Sequence, residues 1–305
     1  MLLAVGTDMI GHIRVIAEGA PPAVPATTEV LAFNELRFAE LFARVLSTDR
    51  ADRVGLPGIQ DKVSGQMISL PVRHRKDAWI LKLNPPEFPH LVENEAFFLG
   101  AARASGLTVP FYEVIRDSEG AAGLLLRRFD RIGSKRLPQE DGCQVCGLYP
   151  ADKYRLTSEH LIKGLSSACG APVVAARDLL RQLVYAFLTC NGDAHAKNFS
   201  VLRGADGEWS VTPAYDLPSS HLYGDTSMAL SVGGKIREDI GRADFTRLGL
   251  AVGVTARASA RVMDELVAAV PAWLDRLTEL PFDRRRLHKL RKAIQYRVRR
   301  VASEL

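Results

Sequence analysis

One stretch in the second half of the chain constrains the fold more than any other, because an apolar helix pattern, a polar segment and an alternating pattern follow each other directly. Leu179, Leu183 and Phe187 recur at the spacing of one helix face, which predicts a buried helix. Asn191-Gly192 can supply the left-handed conformation that closes helices, so the helix is predicted to end there. The segment NFSVLRGADGEWSV then reads as a hairpin with Asp206-Gly207 in its turn.

The predicted hairpin brings two distant polar residues together. A turn over residues 204–207 pairs Arg203 with Glu208. Asn198 lies just before the first strand and Asp216 lies a few residues after the second. Because antiparallel neighbours are about 5 Å apart, the two ends of the hairpin converge and these side chains can face one space.

The polar residues at the base of the hairpin suit phosphoryl transfer. Amide and carboxylate oxygens from Asn198 and Asp216 are the ligands that Mg²⁺ prefers. Asp193 lies five residues before Asn198 on the same loop and can accept a hydroxyl proton, and Asp-x₄-Asn is the spacing of the kinase catalytic loop. Asp216 would take the place of the metal-holding aspartate, although it is followed by Leu217-Pro218 and not by Phe-Gly.

The first half of the chain offers the remaining parts of a nucleotide site in the matching order. Residues 55–62 form a predicted glycine-containing loop whose backbone N–H groups, including that of Gly58, could cover phosphates, and Lys62 at its end could touch one. Lys82 lies on the following strand, where it could reach the α- and β-phosphates. Glu95, on the helix predicted over residues 91–105, could orient Lys82 through an ion pair.

The order of patterns predicts an α+β fold with two lobes. Strands dominate the first half, apart from a helix predicted over residues 29–47, and residues 245–305 are mostly helical. Strands followed by helices indicate an α+β layout. We therefore expect a strand-rich N-terminal lobe over residues 1–127 and a helical lobe over residues 128–305.

Composition narrows the class of protein only slightly. The chain has 305 residues, 47% of them hydrophobic, and its net charge of +5 is as compatible with ATP or an acidic partner as with nucleic acid. The N-terminus lacks the pattern of a signal peptide, and no apolar run approaches the length of a membrane span. Four scattered cysteines do not form a disulfide framework, so the cytoplasm is the predicted compartment.

Taken together, several stretches resemble the HipA family of serine/threonine protein kinases, the toxins of bacterial toxin–antitoxin modules. The matching stretches are PGIQDKVSG, WILKLNPP, VENEAFFL, LTVPFYEVI, RRFDRIG, RLPQEDGCQVCGLYPADKY, NGDAHAKNFSVL and VTPAYDL. They occur in the order that the family has, and the catalytic-loop block is the most specific of them.

The resemblance implies a protein-kinase-like fold that uses ATP and Mg²⁺. It implies Asp193 as the catalytic base, Asn198 and Asp216 as the Mg²⁺ ligands, and Lys82 as the lysine that contacts the ATP phosphates. Lys197 could in addition meet the γ-phosphate.

The resemblance also implies where the adenosine lies. The segment RRFDR would be the hinge that holds adenine through backbone groups, so Arg128 and Phe129 are predicted at the base. Asp130 is predicted near the ribose.

The resemblance extends to partners. The family's substrates are translation proteins, notably aminoacyl-tRNA synthetases, and its usual partner is a small helix-turn-helix antitoxin of the HipB type that binds operator DNA. DNA is therefore expected only through the antitoxin. The segment LLAVGTDMIGHIRVIAEG resembles the final hairpin of an additional N-terminal subdomain. The chain thus looks like the short HipT toxin of three-gene modules, and a separate small protein is expected to replace the missing part.

Two other classes of function remain open from the sequence. Small-molecule kinases of the aminoglycoside or choline kinase type share a GD…N…D core, which NGDAHAKN resembles locally. A non-catalytic binding module could use the same fold as a scaffold. Against the second stand the intact Asp193, Asn198, Asp216 and Lys82.

Overall fold

The structure is a computed structural model that describes residues 9–13, 18, 28–29, 32–47 and 67–302. The predicted glycine-containing loop, with Gly58 and Lys62, lies outside the described residues. The strands are β1 (Thr28–Glu29), β2 (Ile68–His74), β3 (Asp77–Leu83), β4 (Tyr112–Arg116), β5 (Ala122–Arg127), β6 (Arg131–Ile132), β7 (Lys135–Arg136), β8 (Gln139–Asp141), β9 (Ser200–Arg203) and β10 (Trp209–Val211). The helices are α1 (Phe38–Ser47), α2 (Leu91–Ala104), α3 (Gly142–Val145), α4 (Ser158–Ser167), α5 (Pro172–Leu188), α6 (Arg242–Ala251), α7 (Ala256–Leu274) and α8 (Arg284–Ala302).

A five-stranded sheet in the order β1-β2-β3-β5-β4 forms the first half of the fold, and all its pairs are antiparallel except β1 with β2. Along β3 the side chains alternate, so that Trp79, Leu81 and Leu83 are buried on the outer face. Lys82 therefore points from the opposite face, toward α2 and the helical half. The period of the strand thus directs Lys82 to the site.

The helix predicted over residues 29–47 is wrong in its first half. Thr28–Glu29 pairs with β2, a single 3₁₀ turn covers Phe33–Glu35, and the α-helix starts only at Phe38. Phe33 and Phe38 both pack on the outer face of the sheet. Five residues apart on one helix they would differ by roughly 140° in direction, so an extended break at Leu36 lets both face the sheet.

The helical half is built around α5, which is buried along most of its length. The helices α4, α6, α7 and α8 surround it. The large core cluster is continuous with the inner face of the sheet, because it also contains Val92 and Phe98 from α2 and Leu124 from β5. From α8, the buried Arg297 donates hydrogen bonds to the carbonyl oxygens of Phe187 and Thr226.

The helix α5 ends differently from the prediction. The residue with the left-handed conformation is Cys190 (φ 57°), not Asn191 or Gly192. The N–H of Asn191 donates to the carbonyl of Ala186, and that of Cys190 to Phe187, which is the bonding pattern that follows a left-handed residue at a helix end.

Gly192 is required for a different reason from the one predicted. A Cβ at this position would lie 2.3 Å from the Ser227 carbonyl oxygen and 2.8 Å from the Ser220 hydroxyl oxygen. Its own N–H donates to that hydroxyl. The glycine therefore allows the segment that carries Asp193 to pack directly against the segment that carries Ser220 and Ser227.

The predicted hairpin is present, but its register is shifted by one residue. Arg203 pairs with Trp209, not with Glu208. The N–H of Gly207 donates to Gly204, and Gly207 itself is left-handed (φ 86°), so the connection holds one more residue than the symmetrical turn that was predicted. The ends of the two strands that lie away from the turn still come together. A shift of one residue in register is small compared with the reach of the side chains.

The boundary between the predicted lobes coincides with the end of the sheet, since β5 ends at Arg127. The division into residues 1–127 and 128–305 stays a prediction. None of the described helices combines the length and the hydropathy that crossing a membrane would take.

Candidate functional site

Three of the predicted residues meet between the sheet and the helical half. The Lys82 ammonium donates to both carboxylate oxygens of Glu95 at 2.8 Å and to Oδ1 of Asp216 at 3.0 Å. Lys82 comes from β3, Glu95 from α2, and Asp216 from the segment after β10. The predicted pair of Lys82 with Glu95 is therefore present, and Asp216 joins it.

Burial and charge act in opposite directions on this cluster. The Glu95 side chain is fully buried and that of Lys82 is 12% exposed. Burial alone would lower the pKa of Lys82, but Asp216 and Glu95 raise it above its usual value, so the ammonium form is held. Burial raises the pKa of Glu95, against the effect of Lys82. Burial also opposes ionisation of Asp216, but the charge of Lys82 lowers the pKa of that carboxyl.

The loop that carries Asn198 is fixed by its own backbone. A 3₁₀ turn over Ala196–Asn198 places the Asn198 amide where its oxygen accepts the N–H of His195 at 3.0 Å, and its nitrogen donates to Oδ2 of Asp216. The predicted convergence of Asn198 and Asp216 is thus present in the structure. Asp216 has a left-handed backbone (φ 57°), an uncommon conformation that aspartate tolerates better than most residues and that is frequent at functional sites.

Asp193 lies on the same loop and is 3% exposed. Its Oδ1 accepts a hydrogen bond of 2.7 Å from the Tyr154 hydroxyl. Burial, followed by the Asp193 carboxylate, raises the pKa of Tyr154, so the hydroxyl stays protonated and keeps donating. The orientation of the Asp193 carboxylate is therefore set from outside its own loop.

Lys197 is engaged elsewhere. Its ammonium lies 2.5 Å from Oδ2 of Asp141, and its carbonyl accepts the hydroxyl of Tyr215. A contact between Lys197 and the γ-phosphate would require this pair to break, and that assignment stays a prediction.

The hinge prediction is only partly supported by the geometry. Both oxygens of Asp130 are used within the chain: Oδ1 accepts from Arg128, and Oδ2 accepts from Arg128, Arg131 and the N–H of Gly11. Burial opposes its ionisation, but hydrogen bonds and charge from Arg128 lower the pKa of Asp130. Asp130 thus anchors an N-terminal segment through a buried ion cluster, and its place near the ribose stays a prediction.

Phe129 lies beside the segment that carries Asp216, and its role in a hinge stays a prediction. Its ring packs against Tyr215 with centroids 5.8 Å apart, next to the segment that carries Asp216. Within the described part of the chain, its backbone N–H and C=O make no hydrogen bond. These two groups remain candidates for contacts with a base, whereas the Arg128 side chain is committed to Asp130.

Several residues of the site were missed by reading the sequence. Lys153 and Tyr154 reach the catalytic loop from the segment before α4, and Asn94 exchanges two hydrogen bonds with Ser219. Asp141 had a usable signal, since Asp-x-x-Gln at a helix start forms the capping box seen with Gln144. Lys153, Tyr154 and Asn94 lie in stretches that resemble the family, but no spacing assigned them a role.

The donor set at this site fits magnesium. In the described residues, no three His, Cys, Asp or Glu side chains are grouped so that they could hold a metal by themselves. Asn198 and Asp216 instead supply an amide and a carboxylate in contact with each other. Such a pair suits an ion that takes its other ligands from substrate phosphates and water.

Comparison with known proteins identifies the family of the chain. Residues 54–274 match the family model described as the HipA-like C-terminal domain. The protein Y4mE of Sinorhizobium fredii carries the name of a kinase. It is 30% identical to this chain, and the match covers 99% of this chain and 78% of Y4mE. The serine/threonine-protein kinase toxin HipA of Shewanella oneidensis is 26% identical over 76% of this chain, and the match spans 59% of that toxin, less than two thirds of it.

Solved structures agree on the fold. The HipA chain from a Shewanella oneidensis complex of HipA, HipB and operator DNA superimposes with a TM-score of 0.73 at 20% identity, covering 98% of this chain and 77% of that one. The Helicobacter pylori kinase CtkA superimposes with a TM-score of 0.52 at 13% identity, covering 80% and 95%. The predicted α+β, protein-kinase-like fold is thereby confirmed. The chain belongs to the HipA family of kinases.

Proposed function

We propose that the chain is an ATP-dependent serine/threonine protein kinase of the HipA type and acts as the toxin of a toxin–antitoxin module. The observation that carries the proposal is the convergence of Lys82, Glu95, Asn198 and Asp216 from four separate segments on one space beside Asp193. A buried Lys–Glu pair beside an Asn–Asp pair supports the binding and transfer of a phosphoryl group.

In the proposed mechanism, a substrate hydroxyl attacks the γ-phosphorus of ATP. A bond forms between the hydroxyl oxygen and phosphorus, the bond to the oxygen that bridges the β- and γ-phosphates breaks, and its electron pair leaves with ADP. Asp193, oriented by Tyr154, accepts the hydroxyl proton. Lys82, oriented by Glu95, holds the α- and β-phosphates.

Magnesium bound by Asn198 and Asp216 would neutralise negative charge on the phosphates. The left-handed backbone of Asp216 and the hydrogen bond that it accepts from the Asn198 amide nitrogen hold the Asp216 carboxylate beside Lys82 before any ligand arrives. This arrangement is consistent with a site that is organised in advance for a charged nucleotide.

The partners belong to the same proposal. HipA of Shewanella oneidensis has been solved with HipB and operator DNA, which supports a HipB-type antitoxin as the partner of this chain. We further propose that this chain meets DNA only through the antitoxin. We also propose a translation protein, such as an aminoacyl-tRNA synthetase, as the substrate.

The proposal is tested by incubating the purified chain with radiolabelled ATP, Mg²⁺ and a cell lysate. We expect label in a protein band, and we expect Asp193→Asn and Asp216→Asn to reduce it by about 10³-fold or more while the melting temperature stays close to that of the parent. Asp206→Asn, in the exposed turn of the hairpin, is the matched control and should label normally.

Two results would contradict the proposal. Label in a small molecule with none in protein would favour a kinase of the aminoglycoside or choline type. Normal labelling by either of the two site variants would remove Asp193 or Asp216 from the reaction.

A further inference from the structure

Four basic residues lie on or beside the loop that carries Asp193 and Asn198, which we call the catalytic loop. The side chains of three of them are already engaged by other groups of the chain. Lys82 and Lys197 are held by the carboxylates described above. The His195 ring packs against the Tyr154 ring with centroids 5.2 Å apart, and the residue is 5% exposed, so it is occupied as packing for that tyrosine. The remaining basic group is Lys153, whose role the proposed mechanism does not use.

Lys153 is held in place on two sides. Its ammonium nitrogen lies 5.0 Å from the centroid of the Tyr154 ring, and the hydroxyl of that ring donates to Asp193. Its backbone carbonyl accepts the N–H of Ala196 in the catalytic loop at 3.1 Å. The residue as a whole is only 5% exposed, so the side chain is enclosed next to the loop.

The ammonium of Lys153 has no carboxylate partner at contact distance in the described part of the chain. Burial lowers the pKa of Lys153, and the groups that offset this effect are Asp193 and then Asp216. An enclosed ammonium without an ion pair is costly unless an anion reaches it. The negative charge of a phosphoryl group entering between Asp193 and Asp216 would favour the ammonium form.

Resting on the function proposed above, we propose that Lys153 is a further catalytic residue whose ammonium contacts the γ-phosphoryl group and stabilises its negative charge during transfer. Lys153 forms no covalent bond and keeps its proton, so the balance of the transfer step is unchanged. The role differs from that of Lys82, whose ammonium is already paired with two carboxylates.

The test compares Lys153→Met, Lys153→Arg and the parent in transfer rate at saturating ATP and in affinity for Mg-ADP. We expect Lys153→Met to lower the rate by about 100-fold or more and to leave the ADP affinity within about twofold, because ADP lacks the group contacted. Lys153→Arg should recover at least roughly tenfold of the loss, because it restores the charge. Lys163→Met, an exposed lysine on α4, is the matched control and should change neither value.

A purely structural role for Lys153, as support for Tyr154, predicts a different result. Lys153→Met would then lower the melting temperature and weaken ADP binding along with the rate, and Lys153→Arg would not restore the rate. That outcome, or a rate within about threefold of the parent, would overturn the inference. If the parent itself transfers no phosphate, the proposed function fails first, and the ADP titration still reports whether the nucleotide site exists.

Discussion

At the scale of single residues, substitutions in the Lys82–Glu95 pair can distinguish its contribution to stability from its contribution to activity. Glu95 is fully buried. Among the described side chains, Lys82 is the one that forms an ion pair with its carboxylate. Removing one partner of a buried pair leaves an uncompensated group, whereas replacing both partners by apolar residues is often neutral. The pair is therefore expected to be needed for nucleotide binding and not for folding.

We predict that Lys82→Met lowers the free energy of unfolding by roughly 3 kcal/mol, because Glu95 then has to be buried alone or protonated. The double variant Lys82→Met/Glu95→Leu should recover most of this loss. Both variants should be inactive in transfer. Chemical denaturation and the labelling assay measure the two quantities, and recovery of activity together with stability would contradict the assigned role.

At the scale of elements, the contact between two loops depends on Gly192. The catalytic loop follows α5, and the second loop carries Ser220 and Ser227. Because a methyl group at Gly192 would lie 2.3 Å from a backbone oxygen, one of the two loops must move. Asp193 is the next residue, so the movement is transmitted to the proposed base.

We predict that Gly192→Ala destabilises the protein by about 1 to 3 kcal/mol and lowers the transfer rate by at least roughly tenfold. Gly207→Ala is the control, since Gly207 is left-handed but has its nearest neighbour at 3.7 Å. It should cost stability through backbone strain alone and leave the rate at saturating substrate unchanged. Equal rates for the two variants would show that the loop contact does not position Asp193.

At the scale of the whole molecule, Asp130 joins the start of the described chain to the end of the sheet. Its carboxylate binds the N–H of Gly11, while Arg128 and Arg131 also donate to the carbonyl of Met9. This ion cluster is buried, and the pKa of Asp130 is lowered within it. The cluster therefore contributes stability above the ordinary pKa of an aspartate and loses it as the pH falls through the lower pKa of the folded state.

We predict that Asp130→Asn melts at a lower temperature than the parent near neutral pH. The difference between the two should shrink as the pH falls below the ordinary pKa of an aspartate, because the unfolded parent then binds a proton that the folded Asp130 resists. Thermal unfolding monitored across this range measures it. A difference that is constant with pH would mean that the carboxylate acts without its charge.

The sequence was sufficient for those parts of the site that depend on spacing along one segment or across one hairpin. Asp193 and Asn198 share a loop, Asp216 returns through the hairpin, and the alternation in β3 directs Lys82 inward. The register was shifted because Gly207 adds a left-handed residue to the turn, which the letters Asp-Gly alone do not distinguish. The positions of Tyr154 and Lys153 at the site depend on how the segment before α4 packs. Their spacing along the chain does not predict this packing.

The bond between Lys82 and Asp216 has a consequence for the energetics of ligand binding. In the resting chain, the carboxylate proposed for the metal already holds the ammonium proposed for the phosphates. Arrival of a metal–nucleotide complex is then an exchange of partners, in which each charge gives up one opposite charge and gains another. Nucleotide binding should accordingly release little electrostatic free energy at this point. Affinity would come mainly from contacts with the adenine base and from displaced water. Added salt should therefore weaken nucleotide binding less than the number of charges suggests.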